Sequence, residues 1–144
     1  MSRVHATDGS AAFFFFRPEE AGRPGADRAG SLVCHFDAWL GDDFVSAHPL
    51  FLVTTRLKNA LWSVLETGAF RTTRARTRRS RFFLSHHSGC RLPTFWVLHV
   101  EGTPGRDDMG ITADHSLVVS QKVLQILVRF RVPRAVIEQY VARA

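Results

Sequence analysis

The chain has 144 residues, of which 45% are hydrophobic and 22% are charged, and its formal net charge is +6. These values are typical of one ordinary globular domain, so we expect a single domain over residues 1–144. No stretch approaches the ~18 consecutive apolar residues that a membrane span needs, and the apolar residues 11–16 are followed by charges rather than by a cleavage site. We therefore expect a soluble, cytoplasmic protein that has no membrane partner.

The basic charge indicates which classes of partner the chain could bind, and the cysteines indicate whether it holds zinc or disulfides. A strongly basic surface attracts nucleic acids, acidic proteins or anionic membranes. The two cysteines, Cys34 and Cys90, lie far apart and form no CxxC pair. This spacing argues against a zinc site and against a disulfide framework, and it indicates two free thiols. The sequence predicts no bound metal and no cofactor.

The first third of the chain predicts two strands separated by a long loop. Residues 13–16 are four consecutive phenylalanines, which favour a buried strand. Residues 17–31 contain two prolines and three glycines among mixed charges, and this composition predicts a mobile loop. Residues 32–36 are a second candidate strand, and residues 37–49 read as an irregular segment or a short helix.

A strand-to-helix unit follows at residues 50–70, "LFLVTTRLKNALWSVLETGAF". Residues 51–53 predict a short strand, and Thr54 supplies a hydroxyl at the N-cap position of the next helix. Apolar residues then recur with helical spacing, and Gly68 is a plausible C-terminal stop. The apolar stripe consists of Leu57, Ala60, Leu61, Val64 and Leu65.

The same unit recurs 66 residues later in "LVVSQKVLQILVRFRV", residues 117–132. Ser120 takes the place of Thr54, and Pro133 closes the helix. Any strand, cap and helix would share part of this pattern, but the two copies together predict two helices packed beside a common sheet.

The residues between and after the two copies supply further strands. Residues 70–77 alternate weakly, residues 82–84 are apolar, and residues 94–100 predict a buried strand. Residues 101–115 are rich in turn formers, and residues 136–141 predict a last strand or a short helix. The predicted fold class is α+β: a mostly antiparallel sheet with two amphipathic helices packed on one face.

The residues offer little support for catalysis. The seven histidines are scattered without metal-ligand spacing. The acid pairs Asp42-Asp43 and Asp107-Asp108 would suit a divalent ion or acid–base chemistry, but each lies in a turn, where Asp usually bonds to nearby backbone. The familiar hydrolase and nucleotide-binding motifs do not occur. We therefore expect no enzyme, with a hydrolase built on an Asp pair and a histidine as a minor alternative.

The segment "RTTRARTRRSR", residues 71–81, has six arginines and no acid. In one extended strand, Arg74, Arg76 and Arg78 would project from one face, and Arg71, Arg79 and Arg81 from the other. Together with Phe82 and Phe83, this segment could grip phosphates and stack on bases, or it could contact an acidic protein. A solvated edge strand protected by its charge is the third interpretation.

Three phrases carry a resemblance to a known group of proteins: residues 39–61, residues 92–111 and residues 117–132. The chain resembles the bacterial immunity proteins of polymorphic toxin systems, including the double-CxxCG-like proteins of myxobacteria. In those families an apolar strand-to-helix junction with a central serine recurs, and a DDFG-like turn precedes the second junction, here "DDMG" at residues 107–110. The junction serine is threonine at position 54 of this chain, and the CxxC pairs are missing.

The resemblance implies a non-enzymatic protein that neutralises a cognate toxin by binding it. The candidate contacts are the arginines at positions 71, 74, 76, 78, 79 and 81, with Trp39, Asp42 and Asp43 as a second candidate patch. Arginine is enriched in interface hot spots, and it would suit an acidic toxin face. The alternative is a nucleic-acid-binding module that uses the same arginines.

Overall fold

The structure, a computed structural model, describes residues 12–65 and 69–141. Within these residues the chain forms twelve strands and three helices. In chain order they are β1 (Phe13–Arg17), β2 (Glu19–Glu20), β3 (Gly22–Ala26), β4 (Leu32–Phe36), β5 (Phe44–Ala47), β6 (Leu50–Thr54), α1 (Thr55–Val64), β7 (Phe70–Arg74), β8 (Thr77–Arg79), α2 (Arg81–His86), β9 (Phe95–Val100), β10 (Met109–Ile111), β11 (Leu117–Ser120), α3 (Gln121–Leu127) and β12 (Val136–Tyr140).

The strands form three sheets. The largest has the order β2-β5-β6-β9-β7, a second has β10-β11-β1-β12, and a small third has β3-β4-β8. Neighbouring strands are antiparallel except for the pairs β2–β5 and β4–β8, which are parallel. The predicted α+β class with mostly antiparallel pairing is confirmed. The prediction of one common sheet is wrong, because the two copies of the repeated unit start from different sheets.

The repeat is longer than the sequence suggested. In the first copy, the hairpin β5–β6 leads into α1 and then into β7, and in the second copy, β10–β11 leads into α3 and then into β12. The registers correspond: Phe44 pairs with Val53 in the first hairpin, and Met109 pairs with Val119 in the second. Each unit is therefore a hairpin, a helix and an edge strand.

A fourth strand completes each unit, and its origin differs between the two copies. It lies between the strand that precedes the helix and the strand that follows it. In the first unit this strand is β9, which comes later in the chain, whereas in the second unit it is β1, from the beginning of the chain. The second unit is therefore a circular permutation of the first.

Each unit joins its hairpin to its helix through an aspartate and a hydroxyl residue. Thr54 donates its backbone N–H to Asp43 O at 2.9 Å and its hydroxyl to Asp43 Oδ1 at 2.7 Å. Ser120 makes the same two bonds to Asp108, also at 2.9 and 2.7 Å. Ser120 Oγ in addition accepts a bond from Val123 N, as an N-cap does. Thr54 also holds the N-cap position, but its side chain makes no cap bond.

The core lies where the two units meet. Apolar residues of α1 and α3 pack with strands of the five-stranded and four-stranded sheets in one buried cluster. Leu57, Leu61, Val123 and Leu127 in this cluster are fully buried, as the helical spacing predicted. A second cluster covers the opposite face of the five-stranded sheet, where Phe36 of β4 and Phe83 of α2 pack on Phe95, Leu52 and their neighbours.

Several local predictions need correction. Residues 17–31, expected to form a loop, instead contain β2 and β3. The short strand expected at residues 82–84 is part of α2, since Ser80 caps a helical turn by accepting a bond from Phe83 N at 3.1 Å. Residues 136–140 form the strand β12, one of the two alternatives. The stop predicted at Gly68 lies outside the described residues.

None of the helices in the described ranges is both long enough and apolar enough to cross a membrane.

Candidate partner-binding surface

The second candidate patch, formed by Trp39, Asp42 and Asp43, lies mostly inside the protein. The two aspartates are 1% and 4% exposed. Asp43 Oδ2 accepts bonds from Arg56 Nη2 at 2.8 Å and from the Arg131 backbone N–H at 2.9 Å. Asp42 Oδ1 accepts a bond from Arg134 Nη1 at 2.6 Å. Both carboxylates therefore join the first unit to the segment after α3, and the prediction that they contact a partner is corrected: they hold the fold together.

The charge of Asp43 is stabilised by its donors. Burial alone would raise the pKa of this carboxyl group, since it disfavours the charged form. Hydrogen bonds from Arg56, from the Thr54 hydroxyl and from the Arg131 backbone outweigh burial, and the pKa of Asp43 lies below its ordinary value. Asp43 is thus an ionised structural group rather than a proton donor.

Trp39 belongs to the same structural arrangement. Its Nε1 donates to Asp42 O at 2.8 Å, and its ring meets the Phe95 ring edge-on, with centroids 6.1 Å apart. The side chain is half-buried. The tryptophan predicted as a partner contact therefore packs against the second core cluster and fixes the turn that carries Asp42.

The arginine segment does not form one strand. It is divided among β7, β8 and the start of α2, and β7 and β8 belong to different sheets. The predicted alternation of the six arginines over two faces of one strand is therefore wrong. The change of sheet occurs between β7 and β8, where Ala75 N donates to Phe95 O and Cys34 N donates to Arg76 O.

The six arginines also differ in their counter-charges. Arg71 is paired with Glu101 and Arg76 with Asp27. The remaining four are exposed and have no carboxylate partner within residues 12–65 and 69–141; they are Arg74, Arg78, Arg79 and Arg81. Four of the six positive charges of the segment are therefore directed to solvent without a counter-charge among the described residues.

Two of these free arginines line a groove between β8 and the loop after α2. This groove, called here the arginine groove, has a volume of about 730 Å³. Its lining residues are Thr77, Arg78, Arg79, Leu84, Ser88, Gly89, Arg91 and Leu92. It thus holds three guanidinium groups beside two leucines, and no carboxylate of the described residues lines it.

The loop that forms the far wall of the arginine groove is held in place by Arg79, which lines the groove. Arg79 Nη1 donates to Cys90 O at 3.2 Å, and Cys90 N donates to His87 O at 2.9 Å. These bonds bring Arg91 beside Arg78, although twelve residues separate the two in the sequence. The sequence pattern did not indicate that Arg91, Leu84 and Leu92 line this groove, because they lie beside β8 only in the folded chain.

The two phenylalanines after the arginine segment have different environments. Phe83 is fully buried in the second core cluster. Phe82 is 53% exposed, and its ring stacks on the His86 ring with centroids 4.0 Å apart. Only Phe82 can therefore contact a partner.

No three metal-ligating side chains gather in the part of the chain that the structure describes. His115 Nε2 lies 2.9 Å from Pro49 O and so joins the turns of the two hairpins. The pKa of His99 is lowered, first by burial and then by the nearby Arg71, while Glu101 opposes the shift. His99 Nε2 is bonded to Thr73 Oγ1 at 2.8 Å, which is a structural contact within the sheet.

Comparisons with known proteins add no relative: no protein-family model, no curated protein and no solved structure matches this chain.

Proposed function

We propose that this chain is a non-catalytic binding protein that docks an acidic partner protein on the arginine groove. The observation that carries the proposal is the collection of three guanidinium groups, on Arg78, Arg79 and Arg91, around an open groove that no described carboxylate lines. Six other arginines of the described residues are paired with carboxylates. A partner that supplied carboxylates would form charge-assisted hydrogen bonds with the unpaired groups.

The specific role that we propose is immunity: the chain binds and neutralises a toxin in the cytoplasm. The sequence resemblance supports this role, and the buried contacts of Asp42 and Asp43 direct the search for the toxin contact to the arginine groove. A rigid sheet that presents exposed arginines beside apolar side chains is the arrangement from which interface hot spots are built.

A growth assay tests this proposal. The chain is co-expressed with the protein encoded immediately upstream of its gene, and growth is compared for three forms of the chain. We expect the unchanged chain to restore growth and the double variant Arg78→Glu/Arg91→Glu to lose protection. The matched control is Arg106→Glu/Arg129→Glu, which makes the same charge change at exposed positions away from the groove. Protection by the groove variant equal to that by the control would refute the proposal.

One observation favours a nucleic-acid partner as the second candidate. Phe82 and His86 present a stacked, exposed pair on the helix that borders the groove, and aromatic side chains next to arginines bind single strands. Fluorescence anisotropy with a single-stranded oligonucleotide separates this candidate from the first. Binding to phosphates must weaken steeply between low and moderate salt. Failure of the oligonucleotide to bind at low salt would exclude it.

A further inference from the structure

The arginine groove runs along a free strand edge. Within the described residues, β8 pairs with β4 on one side and with no strand on the other. Cys34 N donates to Arg76 O and Ser80 N donates to Phe36 O, both at 2.8 Å. Because backbone groups alternate in direction along a strand, the even-numbered residues of this segment face β4. The N–H and C=O groups of Thr77 and Arg79 therefore point to the free edge, which borders the groove.

On this basis, and resting on the proposed function, we propose that the acidic partner binds as an extended segment added to the free edge of β8. Strand addition obtains affinity from main-chain hydrogen bonds and specificity from the pockets for alternate side chains. The arginine groove supplies both kinds of contact: the backbone groups of Thr77 and Arg79, and a lining of arginines with Leu84 and Leu92. An incoming strand that alternates acidic and apolar residues matches this lining.

A second edge strand, β12, does not suit an acidic segment. The strand β12 lies at an edge of its sheet and exposes Val136 and Ile137, but its central residue is Glu138, which Arg17 pairs. A carboxylate in the middle of an edge strand would repel an acidic segment. The positive charge of β8 discourages pairing with the β8 edge of another copy of this chain, and it favours acidic strands. Charge thus selects the occupant of the β8 edge.

Residue-resolved amide exchange measured by NMR tests the strand pairing directly. The probe is a synthetic peptide in which glutamate and valine alternate. In the free protein we expect fast exchange at the Thr77 and Arg79 amides and slow exchange at Arg78, which faces β4. With the peptide bound, the first two amides should become protected by at least about tenfold, while Arg78 should change little. Binding without protection of Thr77 and Arg79 would overturn the strand-addition proposal, whatever the growth assay shows.

Backbone methylation of the peptide provides a second test. Two isomers are compared by fluorescence anisotropy, one with N-methyl groups on the valines and one with them on the glutamates. Only alternate N–H groups of an added strand face β8, so we expect one isomer to bind at least about tenfold more weakly than the other. Equal affinity of the two isomers would mean that charge alone holds the peptide, which overturns strand addition and leaves charge docking intact.

The same peptide assay uses the variants of the growth assay as controls. The variant Arg78→Glu/Arg91→Glu should no longer bind the unmethylated peptide, whereas Arg106→Glu/Arg129→Glu should bind it as the unchanged chain does. Loss of binding in both variants to the same extent would place the peptide elsewhere and overturn the proposal. So would a groove that binds a single-stranded oligonucleotide but not the peptide. The growth assay uses the whole partner, so the proposed function is tested separately from its mode of recognition.

Discussion

Replacement of Asp43 by alanine tests whether this buried aspartate connects the two units. The change removes the acceptor of four side-chain or backbone donors: the Thr54 hydroxyl, two nitrogens of Arg56, and the Arg131 N–H. Arg56 is 63% exposed in its side chain, so water can replace its partner at little cost. Thr54 is buried, and the bond from the Arg131 amide is part-buried, so water replaces these two bonds less well than those of Arg56.

The expected loss of stability follows from these two donors. An unsatisfied buried donor costs roughly 1–3 kcal/mol, so Asp43→Ala should lower the free energy of unfolding by about 3–4 kcal/mol. The internal repeat supplies a matched control at Asp108, which accepts one side-chain bond, from Ser120. Ser120 Oγ keeps its N-cap bond from Val123 N in the variant, and Asp108 is only half-buried. Asp108→Ala should therefore cost about 1 kcal/mol.

Urea denaturation of the two variants and the unchanged chain measures this difference, with the midpoint expected to move and the slope to stay constant. The two alanine variants should differ by about 2–3 kcal/mol, which is the stability that the additional donors at Asp43 supply. If they agreed within about 0.5 kcal/mol, the contacts across the two units would contribute nothing, and the structural role assigned to Asp43 would be wrong.

The pH dependence of stability, measured for the unchanged chain and for Asp43→Asn, gives an independent test of the role of Asp43. The pKa of Asp43 is lower in the folded than in the unfolded state, where it is about 3.9. The stability that it supplies is therefore complete above the unfolded pKa and is lost as the pH falls through the folded pKa. The free energy of unfolding of the unchanged chain should exceed that of Asp43→Asn by a constant amount between about pH 5 and 7. This difference should shrink below about pH 4. A gap that closes already near pH 6 would contradict this assignment.

Three further predictions concern stability and reactivity. Ser120→Ala should cost about 1 kcal/mol in urea denaturation, since it removes an N-cap. Gly110→Ala should destabilise by about 1–3 kcal/mol, because its Cβ would lie 2.2 Å from a backbone nitrogen, whereas Gly89→Ala, with no atom within 4 Å, should change little. In the native protein Cys90 should be alkylated before Cys34, because burial raises the pKa of the Cys34 thiol; mass spectrometry of the time course measures the order, and faster labelling of Cys34 would refute it.

The repeated unit was the part of the fold that the sequence revealed best. Helical spacing placed Leu57 and Leu61 in the core, and the offset of 66 residues aligned Thr54 with Ser120 as the last residues before the two helices. Local pattern was sufficient here because each helix buries one narrow apolar stripe. The two acid pairs were expected to bond to backbone in turns, and no spacing rule predicted that Asp43 and Asp108 would both receive the junction hydroxyl.

The errors came from pairings between distant parts of the chain. Residues 22–26 contain Pro24 and two glycines, a composition typical of loops, but they pair with β4 along its whole length. Gly22 is required there, since a Cβ at this position would lie 1.9 Å from His35 O. Strand pairing with a distant partner overrode local propensity.

The candidate site arises where the symmetry of the two units breaks. The first unit carries an additional layer, made of β3, β4, β8 and α2, on the outer face of its sheet. This layer both buries Phe83 and presents Arg78 on an edge strand, so one short segment contributes to the core and to the surface. The junctions of the repeated units and the buried residues of the layer both contribute to stability, and the exposed residues of the layer are free to specify a partner. Selection for a new partner would therefore be expected to change the layer and the arginine groove while leaving Asp43, Asp108 and their hydroxyl partners in place.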